Sequence, residues 1–156
     1  MIIERREFKN EKKNGDDNDN INLEYRPKDI FVEADRVRVT QVISNLLSNA
    51  IKFTKKGGGS ISINIEKEDN HILVSVKDTG TGIDPEILPR LFSKFATKSD
   101  KGTGLGLFIS KGIIEAHGGK IWAVNNNIIA DGEKGATFYF TLPTINIEQE
   151  VKMVDQ

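Results

Sequence analysis

The chain has 156 residues, 37% hydrophobic and 29% charged, enough for one ordinary globular domain with its own core. Its net charge of -1 gives no bulk attraction to nucleic acid or an anionic membrane, and the lack of cysteine excludes disulfides and thiolate metal sites. No apolar run approaches the roughly 20 residues that span a bilayer and no leader pattern is visible, so a cytoplasmic domain is expected, with a membrane-anchored parent left open.

Residues 1–20 are polar and end in Asn14-Gly15-Asp16-Asp17-Asn18-Asp19-Asn20, which reads as a flexible lead-in. That acidic cluster lacks the later Glu and flanking helices of an EF-hand, so a solvated loop is expected. Ile21 to Tyr25 alternates as a half-buried strand does, and Ile30-Phe31-Val32 is a second short candidate. Asp35 stands where a helix N-cap would stand. Behind it Val39, Val42, Ile43, Leu46, Leu47, Ala50 and Ile51 recur at helical spacing, up to Gly57-Gly58-Gly59.

Ser60 to Glu66 and His71 to Lys77 both alternate, and the Lys67–Asn70 connection makes them an antiparallel hairpin. Asp84-Pro85-Glu86 predicts a short helix, since Pro favours the first helical position. Residues 93–103 lack periodicity and read as a mobile loop. A helix from about Leu105 to His117 follows, closed by Gly118-Gly119. Strands are predicted near Lys120–Asn125 and Ala136–Leu142, with a polar stretch between them. The packed domain is expected over residues 21–143, with a tail over 144–156. The predicted fold is α+β: a two-layer α/β sandwich, with a mixed, largely antiparallel sheet covered on one face by about three helices.

Asn45, Asn49 and Lys52 fall on one helical face. Amide oxygens suit a hard cation such as Mg2+ beside phosphate oxygens, and a Lys one turn on supplies a point charge for phosphate. A solvent-facing polar stripe would look the same. Asp78 ends an apolar strand and opens the turn Asp78-Thr79-Gly80-Thr81-Gly82. A carboxylate there accepts from the exocyclic amine of adenine, whereas guanine would set a carbonyl oxygen against it. An ordinary Asp-Thr-Gly turn is the alternative. Gly102-Thr103-Gly104-Leu105-Gly106-Leu107 opens a helix, where free N–H groups make an anion site. The run is neither a Walker A loop nor a dinucleotide fingerprint, since Ile109 stands where the third Gly would be. A merely flexible loop stays open.

Taken together and in this order, these segments resemble the catalytic ATP-binding domain of sensor histidine kinases. That family shares a Bergerat-type ATP-binding fold with gyrase, heat-shock chaperone and mismatch-repair ATPases. Gln41, Asn45, Asn49 and Lys52 match its first motif, and Asp78, Gly80 and Gly82 its second. Phe92-x-x-Phe95 and Gly102–Leu107 match the third and fourth, so the likeness runs from about Ile21 to Pro143.

The resemblance implies ATP and Mg2+ as cofactors. Asn49, with Asn45 alongside, would hold the metal; Lys52 would contact a phosphate and Phe53 would stack near adenine. Asp78 would read the adenine amine, Gly80 and Gly82 would shape the base pocket, and Ile83 would line it. Gly102, Thr103, Gly104, Leu105, Gly106 and Leu107 would wrap the phosphates, and Thr137 would bond through water near the base. Residues 90–103, with Phe95, would form a short lid. Lys98 is its candidate γ-phosphate cation, ahead of Lys94 and Lys101. Asn45, Lys52 and Lys98 are thus the implied catalytic set.

The ATPase relatives carry a Glu one helical turn before the metal-binding Asn, to activate water. Here that position is Asn45, which is no base at neutral pH, so transfer is favoured over hydrolysis. The acceptor in such kinases is a His on a separate dimerisation domain. Neither His71 nor His117 has its sequence context, so both are expected to be structural or surface residues. The expectation is an excised or naturally truncated catalytic domain, monomeric by itself. Its partner would be a His-containing dimerisation domain, with a response regulator reached indirectly. No nucleic acid or direct membrane contact is expected. An anti-sigma-factor-type serine kinase and a non-catalytic nucleotide-sensing module are the alternatives.

Overall fold

The computed structural model describes residues 30–54, 59–97, 102–126 and 134–144 in full, and residues 21–25 by their backbone. The predictions for residues 1–20, for the tail after Thr144 and for Lys98 and Lys101 lie outside the described residues.

The elements run β1 (Ile21–Tyr25), α1 (Arg36–Phe53), β2 (Gly59–Lys67), β3 (His71–Asp78), α2 (Gly106–Ala116), β4 (Ile121–Asn125) and β5 (Ala136–Pro143). The five strands form one sheet in the order β1-β2-β3-β5-β4. β1 pairs with β2 in parallel and the other three pairings are antiparallel. This is the mixed, largely antiparallel sheet that the alternation predicts.

α1 starts where Asp35 accepts from Arg38 N at 3.0 Å, satisfying an otherwise free amide. It buries Val39, Val42, Leu46 and Ala50, a stripe at helical spacing. It stops at Thr54, whose backbone N–H reaches Ala50 O at 2.9 Å and whose hydroxyl donates to the same oxygen at 2.6 Å. The stripe packs on Ile61 and Ile65 of β2, on Ile72, Val74 and Val76 of β3, and on Phe138, Phe140 and Leu142 of β5, with Ile114 of α2 completing the core. Alternation along each strand puts these residues on one face of the sheet.

Two predicted elements change. In place of the short helix after Asp84-Pro85-Glu86 there is a turn followed by one 3-10 turn over Leu88–Arg90, so two α-helices cover the sheet among the described residues. Pro89 accounts for it: an α-helix from Pro85 would need an N–H that Pro89 lacks. Ile87 N and Leu88 N both bond to Asp84 O instead, at 2.9 and 3.0 Å. The expected strand at Ile30-Phe31-Val32 is reduced to bridge residues at Phe31 and Val32, with Val32 paired to Thr144. Thr144 N also bonds to Asn70 O at 3.0 Å, so the packed unit includes the first residue of the expected tail.

Candidate functional site

A cleft of ≈ 520 Å³ opens between α1, the turn after β3 and the loop that enters α2. Three groups of residues build it.

The first wall is the polar face of α1, with Asn45, Ser48, Asn49, Lys52 and Phe53 on the lining. Helical spacing puts them beside the buried stripe rather than within it. Asn45 Nδ2 donates to Ser110 Oγ of α2 at 3.0 Å, and that Ser is only 1% exposed. Asn45 therefore ties the two helices as well as facing the cleft. Lys52 Nζ lies 5.1 Å from the Phe53 ring centroid and comes close to Gly102, where an added Cβ would sit 3.3 Å from it. Phe53 is 42% exposed, a large aromatic surface at the cleft rim.

The floor is Asp78, the last residue of β3 and only 3% exposed. Its Oδ1 accepts from Gly80 N at 2.8 Å and Ala136 N at 3.3 Å. Oδ2 has no partner among the described residues and is not a buried unsatisfied atom, so it opens to the cleft. Burial pushes the Asp78 carboxyl above its ordinary 3.8, against the opposing pull of the Gly80 and Ala136 amides. Ile83, Ile87, Leu91, Leu107 and Phe138 form apolar sides around that oxygen. Gly82 reaches the turn at a φ of 77°, in the left-handed region that favours glycine. Gly80 lies beneath, against Phe53 O, where a Cβ would overlap the end of α1.

The third side is the glycine loop: Gly102, Thr103, Gly104, Gly106 and Leu107 all line the cleft. Gly104 has a φ of 66° and its carbonyl accepts from Phe95 N at 3.0 Å, pinning the loop to the Phe box. Gly106 starts α2 directly against Asn45, where a Cβ would overlap Oδ1. The first turn of α2 thus borders the cleft through Gly106 and Leu107, with no side-chain cap to satisfy its amides.

Twelve of the residues singled out from sequence converge on the cleft, and four described ones do not line it. Gly80 lies behind the lining against Phe53 O, and Leu105 is the residue that precedes α2. Phe95 is 68% exposed, at a φ of 61° that non-glycine residues seldom adopt, and faces away from the lining. Thr137 lies outside the lining because strand alternation gives the cleft Ala136 and Phe138 instead. Its hydroxyl donates to Asn126 Oδ1 at 2.6 Å. Lys94, the second lid cation, sits 5.2 Å from the Phe108 ring centroid.

Sequence reasoning missed Ser48, which follows from the same helical face, and the apolar walls Ile87, Leu91 and Phe138. No local pattern distinguishes those three from core residues.

The family model for histidine kinase-, DNA gyrase B- and HSP90-like ATPases matches residues 34–146. The sensor histidine kinase WalK of Bacillus subtilis is 41% identical over 123 residues, 74% of this chain and 19% of WalK. The sensor protein FixL of Bradyrhizobium diazoefficiens is 43% identical over 128 residues, 80% of this chain and 24% of FixL. The chain therefore spans less than a quarter of the length of either relative. Among solved structures, the nucleotide-free catalytic domain of histidine kinase ThkA superposes with a TM-score of 0.68 at 41% identity, covering 81% of this chain and 80% of that one. ThkA in complex with the response regulator protein TrrA gives a TM-score of 0.62 at 36% identity, over 80% of this chain and 34% of that one. Among the described residues no helix is long and apolar enough to cross a membrane. The chain belongs to the histidine kinase-, DNA gyrase B- and HSP90-like ATPase family, and what it shares with its sensor kinase relatives is their catalytic domain.

Proposed function

We propose that this cleft binds Mg-ATP and presents its γ-phosphoryl group to a histidine on a separate dimerisation domain. A response regulator then receives the phosphoryl group, in the cytoplasm. The observation that carries the nucleotide assignment is Asp78 Oδ2: a carboxylate oxygen without a partner among the described residues, at the floor of a largely apolar pocket. It matches the adenine amine, and the amides of α2 and Lys52 lie at the other end for phosphate.

The donor set fits Mg2+ held jointly with phosphate. No group of three or more His, Cys, Asp or Glu that could cage an ion exists among the described residues. The Asn49 amide oxygen, phosphate oxygens and water would supply its shell, and the ion would offset phosphate charge. Asn45 lies alongside with Nδ2 committed to Ser110, which suits a positioning duty. No carboxylate stands at residue 45 to activate water, so the site suits holding ATP until an imidazole arrives. Transfer would form an N–P bond at that imidazole, break the β,γ-bridging P–O bond and release ADP.

Thermal unfolding with Mg-ADP, Mg-ATP and Mg-GTP tests the binding step, since a ligand that binds only the folded state raises the midpoint. A rise with adenine nucleotides alone is expected. No rise at millimolar ATP would remove the nucleotide assignment. Transfer to an added dimerisation domain should leave an acid-labile phosphate. An acid-stable one would favour a serine kinase, and binding without transfer a sensing module.

A further inference from the structure

Ile83 lines the base end of the cleft beside Asp78, yet it belongs to no strand or helix. Its two backbone groups therefore have no ladder to join. Asn125, the last residue of β4, satisfies both: Oδ1 accepts from Ile83 N at 2.6 Å and Nδ2 donates to Ile83 O at 2.8 Å. One side-chain amide thus acts as a neighbouring peptide would. It also packs on Gly82, where an added Cβ would sit 2.9 Å from Oδ1. Asn126 braces the same corner, donating from Nδ2 to Asp78 O at 3.0 Å while Oδ1 accepts from Thr137. Asn125 itself does not line the cleft.

We infer that Asn125 is a positioning residue for the base end of this site, acting through Ile83. It rests on the nucleotide assignment above. The amide holds the Ile83 backbone in place, and with it the apolar wall that faces the Asp78 carboxylate across the cleft. When the grip is lost, Ile83 is free to move. The base should bind less tightly and be read less strictly, while the phosphate end should stay intact.

Two variants test this by calorimetry with ADP and GDP, with and without Mg2+. Asn125→Asp keeps the size and the acceptor for Ile83 N–H, but sets an oxygen against Ile83 O. Asn125→Ala removes both bonds. The dissociation constant for ADP should rise about tenfold in each, by the same factor with and without Mg2+. The preference for ADP over GDP should narrow. The nucleotide-free unfolding midpoint should fall only slightly, because the two lost bonds are exposed on an edge strand where water can replace them. Unchanged ADP affinity in both variants would overturn the inference. So would a loss seen only with Mg2+, or one that disappears when affinity is referred to the folded fraction. Failure of the unsubstituted chain to bind ADP would instead remove the nucleotide assignment itself.

Discussion

The backbone N–H of Asp35 donates to Nε2 of His117 at 3.0 Å, across 82 positions of sequence. The other ring nitrogen, Nδ1, bonds to Ile113 O at 2.7 Å. These partners assign the proton to Nδ1 and leave Nε2 as the acceptor. The start of α1 is thereby fastened to the end of α2, at the ends of the two helices farthest from Asn49 and Gly106. With both nitrogens engaged, His117 is no free nucleophile, which agrees with placing the phosphoryl acceptor on another domain. His71 is no better placed, since it pairs with Glu68 at 3.0 Å on the hairpin.

His117→Ala should therefore lower stability without touching the nucleotide. Two bonds are lost, but water can reach the freed Asp35 amide, so about 1 kcal/mol is expected. Urea unfolding measures the loss, and ADP affinity of the folded fraction should stay within about twofold. Full stability in the variant would mean that this fastening adds nothing.

Asp78 sets stability against function. Its carboxyl is raised above 3.8 chiefly by burial, so folding penalises the ionised form relative to the unfolded chain. The stability this contributes is complete below the unfolded value and is lost as pH rises through the folded one. At neutral pH the ionised group is thus a net cost to the fold. Asp78→Asn should match or exceed the unsubstituted chain in nucleotide-free stability at pH 7, and the gap should close as pH falls toward 3.8. ATP affinity should fall by about tenfold or more, through loss of a charge-assisted bond. A variant that binds ATP normally would take Asp78 out of the site.

Asn49 should matter through the metal. Asn49→Ala is expected to weaken Mg-ATP binding by about tenfold and ATP binding in chelator far less. Equal losses under both conditions would assign Asn49 a packing task instead.

The contact between Gly106 and Asn45 can be tested by coupling. Gly106→Ala forces a Cβ into Asn45 Oδ1, so the Asn45 amide must shift off Ser110, at a cost of about 1 kcal/mol. Adding Asn45→Ala should recover part of that loss, because the second change vacates the clashing volume. Simple additivity in a double-mutant cycle would count against direct contact.

Much of this protein is written in short-range patterns. Asp35, the stripe from Val39 to Ala50 and Thr54 define α1, and the same stripe puts Asn45, Asn49 and Lys52 on the neighbouring face. Alternation in β2 and β3 delivers Asp78 to the end of a buried strand. The glycine run announces α2 and its amides. Pro89, by contrast, turned an expected helix into a 3-10 turn, although the missing N–H was there to be read.

Sequence alone thus sets which segments become helix and strand and which polar groups share a helical face, because both follow from periodicity and capping within a few residues. Three-dimensional assembly sets which of those groups meet. Thr137, expected to bond through water near the base, donates to Asn126 on the face of β5 that does not line the cleft. Ile87, Leu91 and Phe138 become walls only when α1 and the turn after β3 close over the sheet. Asn125 grips Ile83 across 42 positions and His117 grips Asp35 across 82. Such bonds join groups brought together by packing of the whole core, and no local period in the chain records them.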